Sequence, residues 1–222
     1  MGSGVWAVLV AAGRGERLGE DRPKAFVRLG ELPLLAEPLR RLDDSDWIEH
    51  VVVVAPPEWE EPAILLAEEI GASKVTACVA GGETRTASVR AGVAEVPAEA
   101  AVILVHDAAR PLVPDEVIGR VVEALGEGFD GVVPGLPATD TVKRVEGGVV
   151  AETLTREAIV TVQTPQGFVA PVLRAALAAG GDGSDCASLV ERHGGRVKVV
   201  AGDERLLKVT TRADLERVAS WL

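Results

Sequence analysis

Four runs of aliphatic residues recur in the first half of the chain, at 5–10, 50–55, 74–79 and 101–106. They are continuous in Val, Ile and Leu rather than alternating with polar residues. A strand can be apolar on both faces only where both faces are covered, as in a parallel sheet flanked by helices. Helix-like stretches follow each run, at 34–42, 59–70, 84–96 and 114–125, the last with Pro114 at its first turn. Repeated β-then-α units predict an α/β fold: a doubly wound, mostly parallel, Rossmann-like sheet. A chain of 222 residues is long enough to bury such a core.

After Gly131-Val132-Val133-Pro134 the rhythm changes. Two short β-prone runs flank Gly147-Gly148, which reads as a hairpin. A two-stranded hairpin is marginal alone. Residues 137–158 are therefore expected to form an arm that packs on the domain or on another chain. The α/β pattern then resumes with a strand at 160–163, helices at 171–179 and 185–193, and a strand at 197–200. A closing helix starts near Thr211, with Asp214 placed to complete a capping box. No linker or repeat interrupts residues 1–222, so one domain is expected.

The net charge of −11 opposes general binding to nucleic acid or anionic membranes. An anionic ligand would need a local cationic pocket. No apolar run reaches membrane-spanning length, and no basic segment precedes an apolar one as in a signal peptide. Two cysteines, Cys78 and Cys186, make neither a disulfide framework nor a metal site. A reducing cytoplasm is the expected location.

Ligands of open α/β sheets bind beyond the carboxyl ends of the strands, and the polar motifs lie at such ends. The first strand runs into Ala11-Ala12-Gly13-Arg14-Gly15-Glu16-Arg17-Leu18-Gly19, then Arg22-Pro23-Lys24. Backbone donors beside the cations Arg17 and Lys24 suit a polyphosphate. The loop lacks the Gly-Lys-Ser/Thr of a P-loop, and its glycine spacing is one residue too long for a dinucleotide fingerprint. The third strand runs into Gly81-Gly82-Glu83-Thr84-Arg85-Thr86-Ala87-Ser88, which reads equally as a ligand loop or as a turn capped by Thr84. The fourth ends in His106-Asp107-Ala108-Ala109-Arg110. Asp107 is placed to meet a ribose hydroxyl or a divalent metal, or else to pair structurally with Arg110, whereas His106 reads as a satisfied core histidine. Ser184 reads as a helix cap. Lys208 interrupts an apolar stretch where an anion would satisfy it. No nucleophile–base pair or paired-His metal motif is present, which favours transfer chemistry governed by positioning and charge neutralisation.

These motifs together resemble the 2-C-methyl-D-erythritol 4-phosphate cytidylyltransferases of the non-mevalonate isoprenoid pathway. The opening loop indicates only a nucleotidyltransferase. The specific signals are Val-His-Asp-Ala-Ala-Arg-Pro at 105–111, Gly-Gly-x-x-Arg-x-x-Ser at 81–88, Asp-Thr-Val-Lys-Arg at 140–144, Thr-Pro-Gln at 164–166 and Leu-Lys-Val-Thr at 207–210. The resemblance implies transfer of CMP from CTP to 2-C-methyl-D-erythritol 4-phosphate, with Mg²⁺ bound alongside CTP. It implies that Arg17 and Lys24 stabilise the transition state. The implied nucleotide pocket comprises Ala11, Ala12, Gly13, Gly15, Gly81, Gly82, Glu83, Ser88, Asp107 and Ala108, with Asp107 also the candidate metal ligand. Arg110, Thr141, Arg156, Ser184 and Lys208 are implied to position the acceptor. Because Thr141 and Arg156 lie on the arm, a homodimer with shared sites is implied. Cys186 stands where the family often carries a carboxylate. Two other readings are a cytidylyltransferase of another polyol phosphate, such as ribitol 5-phosphate, and a non-catalytic nucleotide-binding domain.

Overall fold

The computed structural model describes residues 4–13, 15, 19 and 21–222. The elements follow in the order β1 (Val5–Val10), β2 (Arg28–Leu29), β3 (Leu32–Pro33), α1 (Ala36–Asp44), β4 (His50–Ala55), α2 (Glu60–Glu69), β5 (Val75–Ala80), α3 (Arg85–Ala94), β6 (Val102–Asp107) and α4 (Asp115–Leu125). The second half adds β7 (Gly131–Pro137), β8 (Lys143–Glu146), β9 (Val149–Thr153), β10 (Val160–Val162), β11 (Gln166–Val169), α5 (Ala170–Ala178), α6 (Cys186–Arg192), β12 (Val197–Ala201) and α7 (Arg212–Ala219). The main sheet runs β10-β7-β11-β6-β1-β4-β5, with β12 also paired to β7. β6, β1, β4 and β5 are mutually parallel, as are β12 and β7, while β11 and β10 run antiparallel to their neighbours.

The continuous apolar runs are explained by burial on two sides. Along β1, Ala7 and Leu9 enter a core with Leu39 and Leu42 of α1, Leu66 of α2 and Ile118 of α4. Trp6 and Val8 point the other way, into a core with Val89 of α3, Leu173 of α5 and Leu189 of α6. The alternation of strand side chains thus serves two helical layers. A third cluster joins Val27, Leu29 and Leu34 around the β2–β3 hairpin to Leu112, Val209, Leu215 and Val218. It folds the segment before α7 back over the carboxyl ends of the strands, and Lys208 travels with it.

The structure departs from the sequence reading in several places. β2–β3, β7 and β11 are strands that the aliphatic pattern did not single out. β7 contains Gly131, Pro134, Gly135 and Pro137, residues that ordinarily weaken a strand pattern. Pro114 stands at the N-cap of α4, one position before its first turn. The cap of α6 is Asp185 rather than Ser184: its carboxylate accepts from Ser188 N–H at 2.9 Å. Gln166 Nε2 donates to the other Asp185 oxygen at 2.7 Å, and this contact fixes which of the two adjacent capping residues is used. The Thr84 cap and the Thr211–Asp214 capping box form as expected.

The Gly147-Gly148 hairpin also forms. Both glycines have positive φ, 56° and 82°, which a tight two-residue turn demands. Every residue of β8 and β9 is exposed.

Candidate active site

The carboxyl ends of β1, β4, β5 and β6 open into a cavity of about 650 Å³. Its wall includes Ala11, Ala12 and Gly13 after β1, Gly81, Gly82, Glu83 and Ser88 after β5, and Asp107 and Ala108 at the end of β6. Lys24 and Lys208 line it as well. Most of the expected nucleotide-site residues are therefore brought to one place by strand order alone.

The loop after β5 shows why glycine is required there. A Cβ on Gly81 would collide with Ala12 Cβ and lie 2.9 Å from Ser88 Oγ. The Ser88 hydroxyl is buried and accepts from Gly82 N–H at 3.1 Å while donating to Thr84 O at 3.0 Å. Ser88 thus shapes the loop's backbone from behind. Gly15 packs against Lys24, since a Cβ at Gly15 would come within 2.5 Å of Lys24 Cβ. Lys24 Nζ donates to Val209 O at 3.0 Å, and Val209 N–H in turn donates to Ala109 O at 2.8 Å. Arg17 lies outside the described residues.

Asp107 is the electrostatic centre. Arg85 donates from Nε and Nη2 to Asp107 Oδ1, at 3.1 and 2.9 Å. Lys208 Nζ donates to Oδ2 at 2.8 Å. Burial alone would raise the Asp107 pKa, but the charges of Arg85 and Lys208 outweigh it and hold the carboxyl well below the usual range. The alternative structural partner, Arg110, instead donates to Leu206 O at 2.6 Å and Val162 O at 3.4 Å.

His106 is fully buried, as the sequence predicted for a core histidine. Its Nε2 lies 3.0 Å from Arg110 O, which can only accept, so this nitrogen carries the proton. Thr164 Oγ1 donates to Nδ1 at 3.0 Å and accepts from Asp107 N–H at 3.1 Å. The histidine therefore helps to hold the Asp107 backbone. Desolvation lowers its pKa to about 4, so it is neutral near pH 7.

As a metal site the donor set fits poorly. Asp107 offers both oxygens to cations already, and the described residues hold no group of three or more His, Cys, Asp or Glu side chains able to bind an ion.

Five described residues expected at the site stay outside the cavity wall, Gly15 among them, packed against Lys24. Arg110 is turned to backbone carbonyls. Ser184 is exposed before α6. Thr141 and Arg156 belong to the arm region, where Arg156 Nη1 donates to Thr139 O at 2.9 Å and Nε to Glu157 at 3.3 Å. The sequence reading missed other residues of the wall: Arg85, and the Pro56-Pro57-Glu58-Trp59 turn after β4. Trp59 is braced by Phe26, with ring centroids 4.5 Å apart. The signal for Arg85 was its place in Gly-Gly-x-x-Arg-x-x-Ser, but its partner lies 22 residues away at the end of β6. Among the described residues, no helix is long and apolar enough to cross a membrane.

The chain is similar to known proteins. The family model for 2-C-methyl-D-erythritol 4-phosphate cytidylyltransferase matches residues 5–222. The enzyme of that name from Nocardia farcinica is 49% identical over 98% of this chain and 93% of its own. The one from Saccharopolyspora erythraea is 49% identical over 95% and 96%. The crystal structure of the Thermus thermophilus enzyme superposes with a TM-score of 0.78 at 34% identity, covering 97% of both chains. A full-length family match, high identity and a shared fold agree, and the chain belongs to the 2-C-methyl-D-erythritol 4-phosphate cytidylyltransferase family.

Proposed function

We propose the following working of the site. CTP lies across the ends of β1, β4 and β5, and the acceptor 2-C-methyl-D-erythritol 4-phosphate enters from the Asp107–Lys208 side. An acceptor phosphate oxygen attacks the α-phosphorus, the bond to the pyrophosphate oxygen breaks, and 4-diphosphocytidyl-2-C-methyl-D-erythritol and pyrophosphate leave. The nucleophile is already an anion, so no general base is required. The main task is to place two anions together and to spread charge at the α-phosphate. Lys24, with Arg17, is assigned to that charge. Lys208 is assigned to the acceptor phosphate, together with Arg110 and Ser184. The observation that carries this reading is the convergence of Lys24, Asp107 and Lys208 on one cavity beside glycine loops in an otherwise acidic chain.

Thr141 and Arg156 lie off the cavity wall of their own chain. They are assigned to the pocket of a second copy, in a homodimer built through arm residues 137–158 of a single 1–222 domain. A divalent cation such as Mg²⁺ is assigned to the triphosphate as its counterion, not to Asp107, and would offset charge on the leaving group. A cytoplasmic location completes the reading. Pyrophosphate release from CTP should appear with methylerythritol phosphate and be far slower with ribitol 5-phosphate. Release with neither, or faster release with ribitol phosphate, overturns it.

A further inference from the structure

Arg85 is the first residue of α3, directly after the Thr84 cap. A cation at this end of a helix faces the positive pole of the macrodipole and is disfavoured there. It is also three-quarters buried, with 25% of its side chain exposed. Something must hold it, and that is Asp107. Both Nε and Nη2 converge on the single oxygen Oδ1, while among the described residues Nη1 meets only the weak acceptor Cys186 Sγ at 3.6 Å. Oδ2 is left to Lys208.

The charges decide what this does. Asp107 and Lys208 alone would form a neutral pair, its ammonium largely consumed by the carboxylate. With Arg85 on Oδ1 these three groups carry one net positive charge, to which the nearby Arg110 guanidinium adds. The exposures show where it is presented: Asp107 is 11% exposed, Arg85 25% and Lys208 42%. The surplus charge faces the cavity as the Lys208 ammonium.

We propose that Arg85 is a positioning residue which neutralises Asp107 through Oδ1, leaving the Lys208 ammonium both aimed and available to bind the acceptor phosphate. This rests on the assignment of Lys208 to that phosphate.

Steady-state kinetics with CTP and methylerythritol phosphate test it. Arg85→Met should raise the KM for the acceptor about tenfold, the scale of one charge-assisted contact, with the KM for CTP within about threefold. Arg85→Lys should recover part of the loss, and it serves in its place if Arg85→Met does not fold. The decisive readout is the double variant Arg85→Met/Asp107→Asn. Removing the unneutralised carboxylate frees Lys208 again, so the acceptor KM should fall below that of Arg85→Met alone. A purely structural arginine predicts that the second substitution makes matters worse, and that result overturns the proposal, as does an equal rise in both KM values. Lys208→Met separates the two readings. If it leaves the acceptor KM unchanged, the assignment of Lys208 falls and the proposal with it. If it raises that KM while Arg85→Met does not, the proposal alone falls.

Discussion

The pocket and the arm are built on opposite principles. At the pocket, buried parallel strands deliver loops whose backbones touch; Gly81 and Ala12 are too close to admit one more carbon. Its charges are interlocked through Asp107. In the arm, β8 and β9 pair only with each other, every residue of these two strands is exposed, and Arg144 pairs with Glu146 and Glu152 across a solvated surface. Val145, Val149 and Val150 are 54%, 70% and 55% exposed. Such valines on a two-stranded ribbon gain nothing within one chain. The contrast teaches that the described wall of the pocket is held by contacts within one chain, whereas the strands of the arm have few contacts of their own and are assigned above to a second copy.

The contrast breaks most sharply at Lys24. Lys24→Ala should lower kcat by roughly 10²–10³, about 3–4 kcal/mol of barrier, with little change in the KM for CTP. A raised KM at unchanged kcat would make Lys24 a binding residue only. Next in size is the buried histidine behind Asp107. His106 titrates near 4 when folded and near 6.5 when unfolded, so the unfolded chain takes up a proton first as pH falls. Its contribution, roughly 3 kcal/mol at most, is present above pH 6.5 and is lost progressively down to about pH 4. Thermal unfolding across that range should show the loss, and His106→Gln should flatten it. The Asp107 carboxylate acts in a separate window, below its ordinary pKa, because its own is depressed.

Gly81→Ala tests the close approach itself. The added carbon must displace Ala12 or the loop, costing about 1–3 kcal/mol and raising the KM for CTP about tenfold. A silent substitution would show that the loops separate readily. The smallest effect on the chain itself is expected in the arm. Val149→Glu should change its unfolding free energy by less than about 0.5 kcal/mol. The same change should shift the assembly toward monomer by light scattering and reduce turnover. An arm that serves only its own chain predicts neither.

Much of this was legible in the residues. β1, β4 and β6 were plain because central parallel strands must be apolar on both faces, and the hairpin was plain because Gly147-Gly148, between two β-prone runs, readily takes the positive φ a tight turn needs. β7 and β11 were not. One is interrupted by Pro and Gly, and the other owes its place between β6 and β7 to pairing with strands distant in sequence. The loops at 11–13 and 81–88 could be read as ligand loops from their glycines. The sequence reading took Ser184 as the cap of α6; the structure gives that place to Asp185, held by Gln166.

The sequence by itself determined the layered α/β fold, the strand ends that carry the polar motifs and the family to which they belong. Local propensity and short-range pattern suffice for these, since each depends on residues near one another in the chain. Only the tertiary structure decided the partners of Asp107. Arg85 comes from the start of α3 and Lys208 from the segment that Val209 and Leu215 pull back over the sheet. Ion pairs depend on distances of a few ångströms between such segments, and only the packing of the core fixes those distances.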